Sequence, residues 1–318
     1  FAFKYSYDYA EIYIPERVRQ LNENNQLLSF VAVNNEDHCI VGHGALKLDG
    51  LSSMYEACIA FVDPRYRGRR IHSKIALHLL AELEKSEVSG LCVVAVTSHP
   101  YSQKSASLMG LRETALFLSC VSPAELVDIR EETQGRESLL FMAGRFTQKE
   151  WGPFYPPACH AEMVGWICRH LEMNVVLHDD VAESPLPPCG QLKQVTDSHK
   201  VGHLFVHHYA NDTVSQVGRT LRKWRLDRLE TVYLYLPLLQ PPTAWLSCSF
   251  EEMGFFFAGL RPGFQGELWL VLQFLNNQRC NYDRLRAATS FGQALIEYVR
   301  KCDPVQEENE TCKERSNG

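Results

Sequence analysis

The stretch Phe61-Val-Asp-Pro-Arg-Tyr-Arg-Gly-Arg-Arg-Ile-His-Ser-Lys74 decides the interpretation of this chain. A run of strand-forming residues ends at a proline, and a short basic turn with one glycine, Gly68, leads into a helical pattern. The turn holds four arginines within six residues: Arg65, Arg67, Arg69 and Arg70. Because the N-terminus of a helix offers backbone N–H groups and positive potential, this pattern predicts a phosphate- or pyrophosphate-binding loop. The alternative is a solvated basic turn, or one whose arginines pair with acids elsewhere in the chain.

The basic turn stands out because the chain as a whole is acidic. Its 318 residues include 32 Lys and Arg against 38 Asp and Glu, which gives a net charge of −6. A general polyanion-binding protein needs a surplus of basic residues, so nucleic acid is not expected as a partner. The length predicts two domains. No run of about 18 uncharged apolar residues occurs, so we expect no membrane span.

Eleven cysteines are scattered along the chain. No two of them form a Cys-x-x-Cys pair, and the histidines show no ligand spacing either, so we expect no metal site. Reduced, buried thiols in a cytoplasmic protein are the expected state. The chain begins at Phe1 rather than Met, which is compatible with a piece of a longer protein.

Helical and strand patterns alternate on both sides of the basic turn. Apolar residues recur at Ile71, Ile75, Leu79 and Leu83, which predicts a helix with one buried face. The apolar run 91–97 is expected to be a central strand. The remaining predicted elements are helices over 12–26 and 102–109 and strands over 28–33, 39–48, 55–62, 114–121 and 138–145. This order predicts a mixed α/β domain, assigned to residues 1–150.

A segment rich in proline and glycine, 151–157, separates the first half of the chain from the second. In the second half the patterns predict helices over 160–171, 213–224 and 282–301 and strands over 174–178, 203–209, 231–236, 255–260 and 268–275. Met109-Gly-Leu and Met253-Gly-Phe each precede a strand, which indicates a duplicated fold, with chance similarity as the alternative. The second domain is assigned to residues 151–303, and the polar tail 304–318 is expected to be disordered.

The stretch from Val62 to Ile71 resembles the acyl-CoA pyrophosphate loop of the GNAT N-acetyltransferase superfamily, whose pattern runs V-x-P-x-x-R-G-x-G-x-G/A. The order of predicted elements over residues 5–145 is also similar to that superfamily. Further motifs resemble bacterial proteins in which a second GNAT-like half follows the first: Ile12 to Arg17, Val41 to Gly44, His99 to Gln103 and Gly254 to Gly259. Some of those proteins carry an upstream ATPase domain of the anti-sigma kinase type, so the resemblance implies such a domain or another regulatory partner.

The resemblance implies a mixed central sheet of GNAT type in two tandem GNAT-like domains, of which the second is degenerate and has no phosphate loop. It also implies acetyl-CoA or another acyl-CoA as co-substrate. The residues implied in binding it are Arg67, Gly68, Arg69, Arg70, Ile71, His72 and Ser73 for the diphosphate, Phe61 and Val62 for the pantetheine arm, and Ser102 at the start of the following helix. Arg70 and His72 occupy positions that are usually small, so their side chains must point away or, for Arg70, contact a phosphate directly.

Transfer of an acyl group to an amine needs a base for the ammonium proton, and an acid can assist the departing thiolate. In the superfamily a Glu on the strand beside the thioester often serves as base, and Glu56 has that position. The alternative for Glu56 is a solvent-facing strand residue. The Tyr that commonly acts as acid is replaced by Ala106, so Tyr101 and His99, after the central strand, are the candidates. The alternative for these two is a turn fixed by packing.

The leading functional prediction is an acyl-CoA-dependent N-acyltransferase in which an amine attacks the thioester directly within a ternary complex. The acceptor amine, a small molecule or a protein, is not indicated by the sequence. The first alternative is a non-catalytic acyl-CoA sensor or regulatory module, which the replaced Tyr and the altered loop positions favour. The second alternative is a protein-interaction scaffold without a ligand.

Overall fold

One continuous sheet of eleven strands runs through the computed structural model of the protein, which describes residues 10–121, 136–147, 150–264 and 266–306. The mixed α/β class that the sequence predicts is confirmed. Helices cover the sheet, and within the described ranges none of them is both long and apolar enough to cross a membrane. Most of the tail 304–318, expected to be disordered, lies outside the described residues.

The first half follows the sequence prediction closely. Its strands are β1 Leu27–Val33, β2 Ile40–Leu48, β3 Tyr55–Val62, β4 Leu91–Val96, β5 Arg112–Val121 and β6 Glu137–Gly144. Its helices are α1 Pro15–Glu23, α2 Ile71–Leu83 and α3 Tyr101–Leu108. The bounds of α2 and β3 are those that the periodicity predicts, because α2 buries one apolar face.

The second half departs from the prediction in several places. Its strands are β7 Gln191–Thr196, β8 Val201–His208, β9 Thr231–Pro237, β10 Phe256–Pro262 and β11 Leu268–Leu275, and its helices are α4 Ala161–His170, α5 Thr213–Leu226, α6 Pro242–Glu251 and α7 Ser290–Cys302. The predicted strand over 174–178 is wrong, since only an isolated bridge joins Leu177 to Phe154. The predicted helix over 282–301 begins only at Ser290, because the Thr289 side chain accepts a hydrogen bond from the Gly292 N–H and caps it there.

The order of strands across the sheet is β1-β2-β3-β4-β6-β5-β10-β11-β9-β8-β7. In each half one parallel pair, β3 with β4 and β8 with β9, is joined through a helix, α2 or α5. The elements β2–β3–α2–β4–α3–β5–β6 therefore have the same order and pairing as β7–β8–α5–β9–α6–β10–β11. The assignment of the two domains to residues 1–150 and 151–303 stays a prediction.

The two halves join where β5 runs antiparallel to β10, with Ala115 opposite Gly259. Gly259 has φ of +138°, and a Cβ there would lie 2.3 Å from the carbonyl oxygen of Thr114. Only glycine permits this approach. A buried ion pair between Asp49, just after β2, and Arg261 on β10 also joins the halves, at 2.8 Å.

Candidate functional site

The parallel strands β3 and β4 are hydrogen-bonded over a short length only. Within the described part of the chain their register covers two pairs, Tyr55 with Leu91 and Glu56 with Cys92. The register between β2 and β3 shifts nearby, and Ile59 on β3 has φ of +51°. A positive φ is unusual for a β-branched residue and costs about 1–3 kcal/mol, so this bulge is held by its surroundings.

A gap therefore opens between β3 and β4 beyond these two pairs. We call the end at Glu56 and Cys92 the closed end of the gap and the end at Val62 and Val96 the open end. The loop that the sequence singles out follows β3 directly, so it lies at the open end.

The loop between β3 and α2 presents its backbone N–H groups outward. Gly68 has φ of +80° and Arg70, the residue before α2, has φ of +57°. None of the six N–H groups from Gly68 to Ser73 donates to another group of the described residues. The positive end of the α2 dipole points at the same place, so the loop has the geometry of an anion site.

The four arginines of the loop differ in their partners. Arg65 pairs with Asp63 at 2.7 Å, and this contact lowers the pKa of the Asp63 carboxyl. Arg65 and Arg69 lie beside the Tyr66 ring, 5.9 and 5.0 Å from its centre. Arg67 and Arg70 are exposed and have no acidic partner among the described residues. The alternative of a turn neutralised by acids therefore holds for Arg65 but not for the loop as a whole.

The helix α2 is held close to the sheet at the start of this site. A Cβ on Gly44 of β2 would lie 2.7 Å from Cγ2 of Ile75, and one on Gly42 would lie 2.8 Å from Cγ2 of Ile71. Ile71 thus packs inward and offers only its backbone. His72 turns toward α3, where its Nδ1 lies 2.9 Å from the Ser105 hydroxyl. Burial lowers the pKa of His72, so the ring is neutral at pH 7.

Three buried polar atoms lie at the C-terminal end of β4. The Ser98 hydroxyl, Nδ1 of His99 and the Ser102 hydroxyl have no hydrogen-bond partner among the described residues. An unsatisfied buried polar group costs about 1–3 kcal/mol, so this segment calls for a ligand or water. Tyr101 is 74% exposed. Both Tyr101 and His99 therefore lie near the open end of the gap.

Glu56 lies at the closed end of the gap. Its carboxylate pairs with Nζ of Lys47, directly opposite on β2, at 3.1 Å. The neighbouring thiol of Cys58 has its pKa raised to about 12 by burial and by the charge of Glu56. Burial also raises the pKa of Cys92. Both thiols are therefore protonated at neutral pH and are not nucleophiles.

The structure divides the predicted site residues between the two ends of the gap. Cys92, beside Glu56, and Val96 are four positions apart on β4, which is about 13 Å at the rise of a strand. Glu56 is therefore distant from His99 and Tyr101. The group at the open end comprises Phe61, Val62, the loop residues from Arg67 to Ser73, His99, Tyr101 and Ser102.

Sequence reasoning missed three residues of this region: Lys47, Ser98 and Ser105. Only the register between β2 and β3 shows that Lys47 faces Glu56. The Ser105 contact depends on the packing of α3 beside α2. Ala106, where the resemblance expects a Tyr, is fully buried in the core.

No protein-family model matches the chain, and no curated protein matches it. Among solved structures it is similar to the ribosomal-protein-S18-alanine N-acetyltransferase of Escherichia coli, with 20% identity, 40% of this chain and 74% of that one covered, and a TM-score of 0.32. It is also similar to the ribosomal-protein-S5-alanine acetyltransferase of Vibrio fischeri, with 12% identity, 42% of this chain and 69% of that one covered, and a TM-score of 0.35. A third similar structure is a putative streptothricin acetyltransferase of Bacillus anthracis in complex with acetyl coenzyme A. Its identity is 13%, 38% of this chain and 63% of that one are covered, and the TM-score is 0.31.

Proposed function

We propose that the chain is an acyl-CoA-dependent N-acyltransferase of the GNAT type, with its co-substrate bound in the first half. The diphosphate would lie against the N–H groups from Gly68 to Ser73, with Arg67 and Arg70 beside it. The pantetheine arm would enter the gap between β3 and β4. One observation supports this most directly: a strand gap opens onto six backbone N–H groups that have no partner among the described residues.

The edges of the gap suit an extended arm that contains amides. A parallel pair that separates after Glu56 and Cys92 leaves backbone polar groups along the gap, and an extended ligand can pair with such an edge as another strand would. Ser98 and Ser102 add buried hydroxyls at the open end. These groups would be satisfied by a polar ligand without any rearrangement of the sheet.

The two bulky loop residues do not obstruct this arrangement. Arg70 adopts the left-handed conformation that glycine usually supplies, and its side chain is exposed. His72 is turned away toward Ser105. Both departures from the superfamily pattern therefore leave the backbone accessible to an anion.

In the proposed reaction Glu56 takes a proton from the acceptor ammonium, directly or through one water. The freed nitrogen lone pair then forms a bond to the thioester carbonyl carbon, and a strand N–H near the Ile59 bulge stabilises the oxyanion. As the C–S bond breaks, the nitrogen loses its second proton to the departing thiolate, so the products are an amide and a free thiol. A thiol with a pKa near 8.5 is a good leaving group, so no acid is required at the closed end. Tyr101 and His99 are proposed to contact the arm or the diphosphate at the open end.

The acceptor is proposed to be an amine of a small molecule or a protein. An amine of either kind can attack the thioester, so the test uses peptide N-termini beside small amines. The second half, with no phosphate loop, is proposed to bind no acyl-CoA of its own.

A second candidate, a non-catalytic acyl-CoA sensor, is favoured by one observation. The Glu56 carboxylate is already engaged in an ion pair with Nζ of Lys47 at 3.1 Å. In a sensor this pair would be purely structural, while acyl-CoA would still bind at the loop.

The test has two stages. Calorimetry with acetyl-CoA and longer acyl-CoAs measures binding, and an absence of binding at millimolar ligand would exclude both the enzyme and the sensor in favour of the scaffold. Release of free thiol in the presence of peptide and small amines then measures transfer. Turnover that Glu56→Gln abolishes supports the enzyme, whereas binding with no turnover above the uncatalysed rate supports the sensor.

A further inference from the structure

A cluster of three different ligand-type side chains lies in the second half, apart from the site described above. Cys159, His160 and Glu251 each place one ligand atom within 4.8 Å of the other two. Cys159 and His160 belong to a short 3-10 turn before α4, and Glu251 is the last residue of α6. His160 is 5% exposed, while Cys159 and Glu251 reach the surface. The proposed acyl transfer makes no use of them.

The hydrogen bonds of His160 determine what its ring presents to Glu251. Nδ1 lies 2.8 Å from the Tyr298 hydroxyl, whose oxygen is 3.1 Å from the carbonyl oxygen of Cys159. A carbonyl can only accept, so the Tyr298 hydroxyl donates to Cys159 and accepts from Nδ1–H of His160. Nε2 then faces an oxygen of Glu251 at 2.6 Å. At that distance the lone pair of Nε2 and a lone pair of the carboxylate oxygen repel each other, so a proton or a metal ion must lie between the two atoms.

Orientation of a histidine through its second nitrogen is typical of metal-binding histidines. The Tyr298 contact holds the His160 ring in one orientation, with Nε2 directed at Glu251 and Cys159. No Lys or Arg of the described residues pairs with Glu251, so the carboxylate is available to a cation. Cys248 lies three residues before Glu251 on α6, on the same helix face.

The cluster does not have the geometry of a nucleophilic triad. A cysteine nucleophile needs a histidine nitrogen as its base, but both nitrogens of His160 contact other groups, Tyr298 and Glu251. Burial and the charge of Glu251 raise the pKa of the Cys159 thiol to about 11. A bound cation would instead lower the pKa of the thiol, because it favours the thiolate form.

We propose that Cys159, His160 and Glu251 bind a zinc ion through Sγ, Nε2 and a carboxylate oxygen, with the fourth position open to water or Cys248. Zinc prefers this mixture of ligands in tetrahedral geometry, at about 2.0–2.3 Å, so ligand atoms lie about 3.3–3.8 Å apart. The longest separation in the cluster must shorten by about 1 Å, and the 2.6 Å contact between Nε2 of His160 and Glu251 must lengthen by about 0.7 Å. The partly exposed side chains of Cys159 and Glu251 permit both movements. The ion would fasten the turn before α4 to the end of α6.

The experiment uses the full chain, freed of metal by a chelator and then titrated with Zn²⁺ and Co²⁺. We expect one ion per chain, a cobalt–thiolate absorption band, release of protons on binding, and a higher melting temperature with Zn²⁺. Cys159→Ser and Glu251→Gln should each weaken zinc binding by about 100-fold or more, and Tyr298→Phe by about 10-fold with the cobalt band retained. Cys189→Ser, at another exposed cysteine, is the matched control and should bind normally.

Two results would overturn the proposal. One is the absence of a stoichiometric ion from wild-type protein that melts cooperatively, which would identify the cluster as a hydrogen-bonded His160–Glu251 pair alone. The other is cobalt binding with no thiolate band, or binding that Cys159→Ser does not change. Because Cys159 is exposed, its serine variant should fold, and a thermal melt verifies this.

Discussion

The two halves of the molecule share one topology but differ where the first strand of each parallel pair leads into a helix. In the first half the ladder between β3 and β4 covers two pairs and then opens. In the second half the ladder between β8 and β9 covers five, from Val201 with Thr231 to Phe205 with Tyr235. The basic loop before α2 corresponds to a short loop before α5, at whose N-terminus stands an acid, Asp212.

The polar groups of the loop before α5 make hydrogen bonds with one another and with neighbouring side chains. The Thr213 hydroxyl accepts from the Ala210 N–H, and the Tyr209 hydroxyl lies 2.8 Å from that of Thr243. Gln216 donates to the Asp212 carboxylate. An anion would meet a negative charge and few available donors there. The shared topology therefore does not itself provide a phosphate site, and the site proposed in the first half depends on an interrupted ladder and on a loop whose N–H groups have no partner among the described residues.

The largest expected effect separates chemistry from binding in the first half. Glu56→Gln should lower acyl transfer by about 10²–10⁴-fold, because the neutral amide cannot take the ammonium proton, and it should leave acetyl-CoA affinity nearly unchanged. Thiol release and calorimetry measure the two quantities. Glu172→Gln, at an exposed carboxylate paired with Arg112, is the control that removes a similar ion pair elsewhere. Equal turnover in wild type and Glu56→Gln would remove Glu56 from the mechanism.

The next effect concerns the buried ion pair that joins the halves beside the pairing of β5 with β10. Asp49→Asn should lower the free energy of unfolding by about 3–5 kcal/mol, because it leaves Arg261 buried without its partner charge. Urea unfolding measures this. Asp283→Asn, which breaks an exposed ion pair with Arg300, should change the same quantity by about 1 kcal/mol or less. Similar small losses in both variants would show that the halves do not depend on the Asp49 contact.

The basic loop itself can be compared with arginines of the second half. The double variant Arg67→Ala, Arg70→Ala should weaken acetyl-CoA binding by about 30-fold, since two exposed charge-assisted hydrogen bonds contribute about 1 kcal/mol each. The matched variant Arg219→Ala, Arg222→Ala removes two exposed arginines of α5 and should have no effect. Calorimetry at fixed ionic strength measures both. An equal loss in the two variants would indicate a nonspecific effect of net charge.

Much of the fold could be predicted because its patterns are local. The apolar spacing over 71–83 and the apolar run 268–275 predict the bounds that α2 and β11 have in the structure. Strand β7 escaped prediction since its sequence, Gln191–Thr196, is largely polar and exposed. Helix α6 begins at Pro242, directly after another proline, so its start looks like a loop. In both cases tertiary context overrides local preference.

The site could be predicted where it lies within one segment and not where it depends on pairing. The loop from Arg67 to Ser73 is continuous, so its chemistry is visible in the sequence. That Lys47 neutralises Glu56 follows only from strand register. The expected absence of a metal site rested on short-range spacing, whereas His160 and Glu251 meet across 91 positions of sequence. Such contacts are made by packing, which periodicity does not encode.

The smallest expected effect distinguishes the halves through two histidines. Burial lowers the pKa of His72 on α2 and of His207 on β8. A lowered pKa favours the neutral ring in the folded state, so each contributes stability above pH 6.5 that is lost as the pH falls toward the folded-state pKa. His72→Gln and His207→Gln should each remove part of the wild-type decrease in unfolding free energy between pH 7 and 5.

Bound acyl-CoA should separate these two residues. A diphosphate beside the loop favours the protonated ring of His72, which lies in the first turn of α2, but it is remote from His207 in the second half. Acetyl-CoA affinity should therefore rise from pH 7 to 5.5 in wild type relative to His72→Gln. The increase should be only about threefold, because salt screens a partly exposed charge. His207→Gln should keep the wild-type dependence. If both variants showed the same pH dependence as wild type, the diphosphate would not lie at the start of α2.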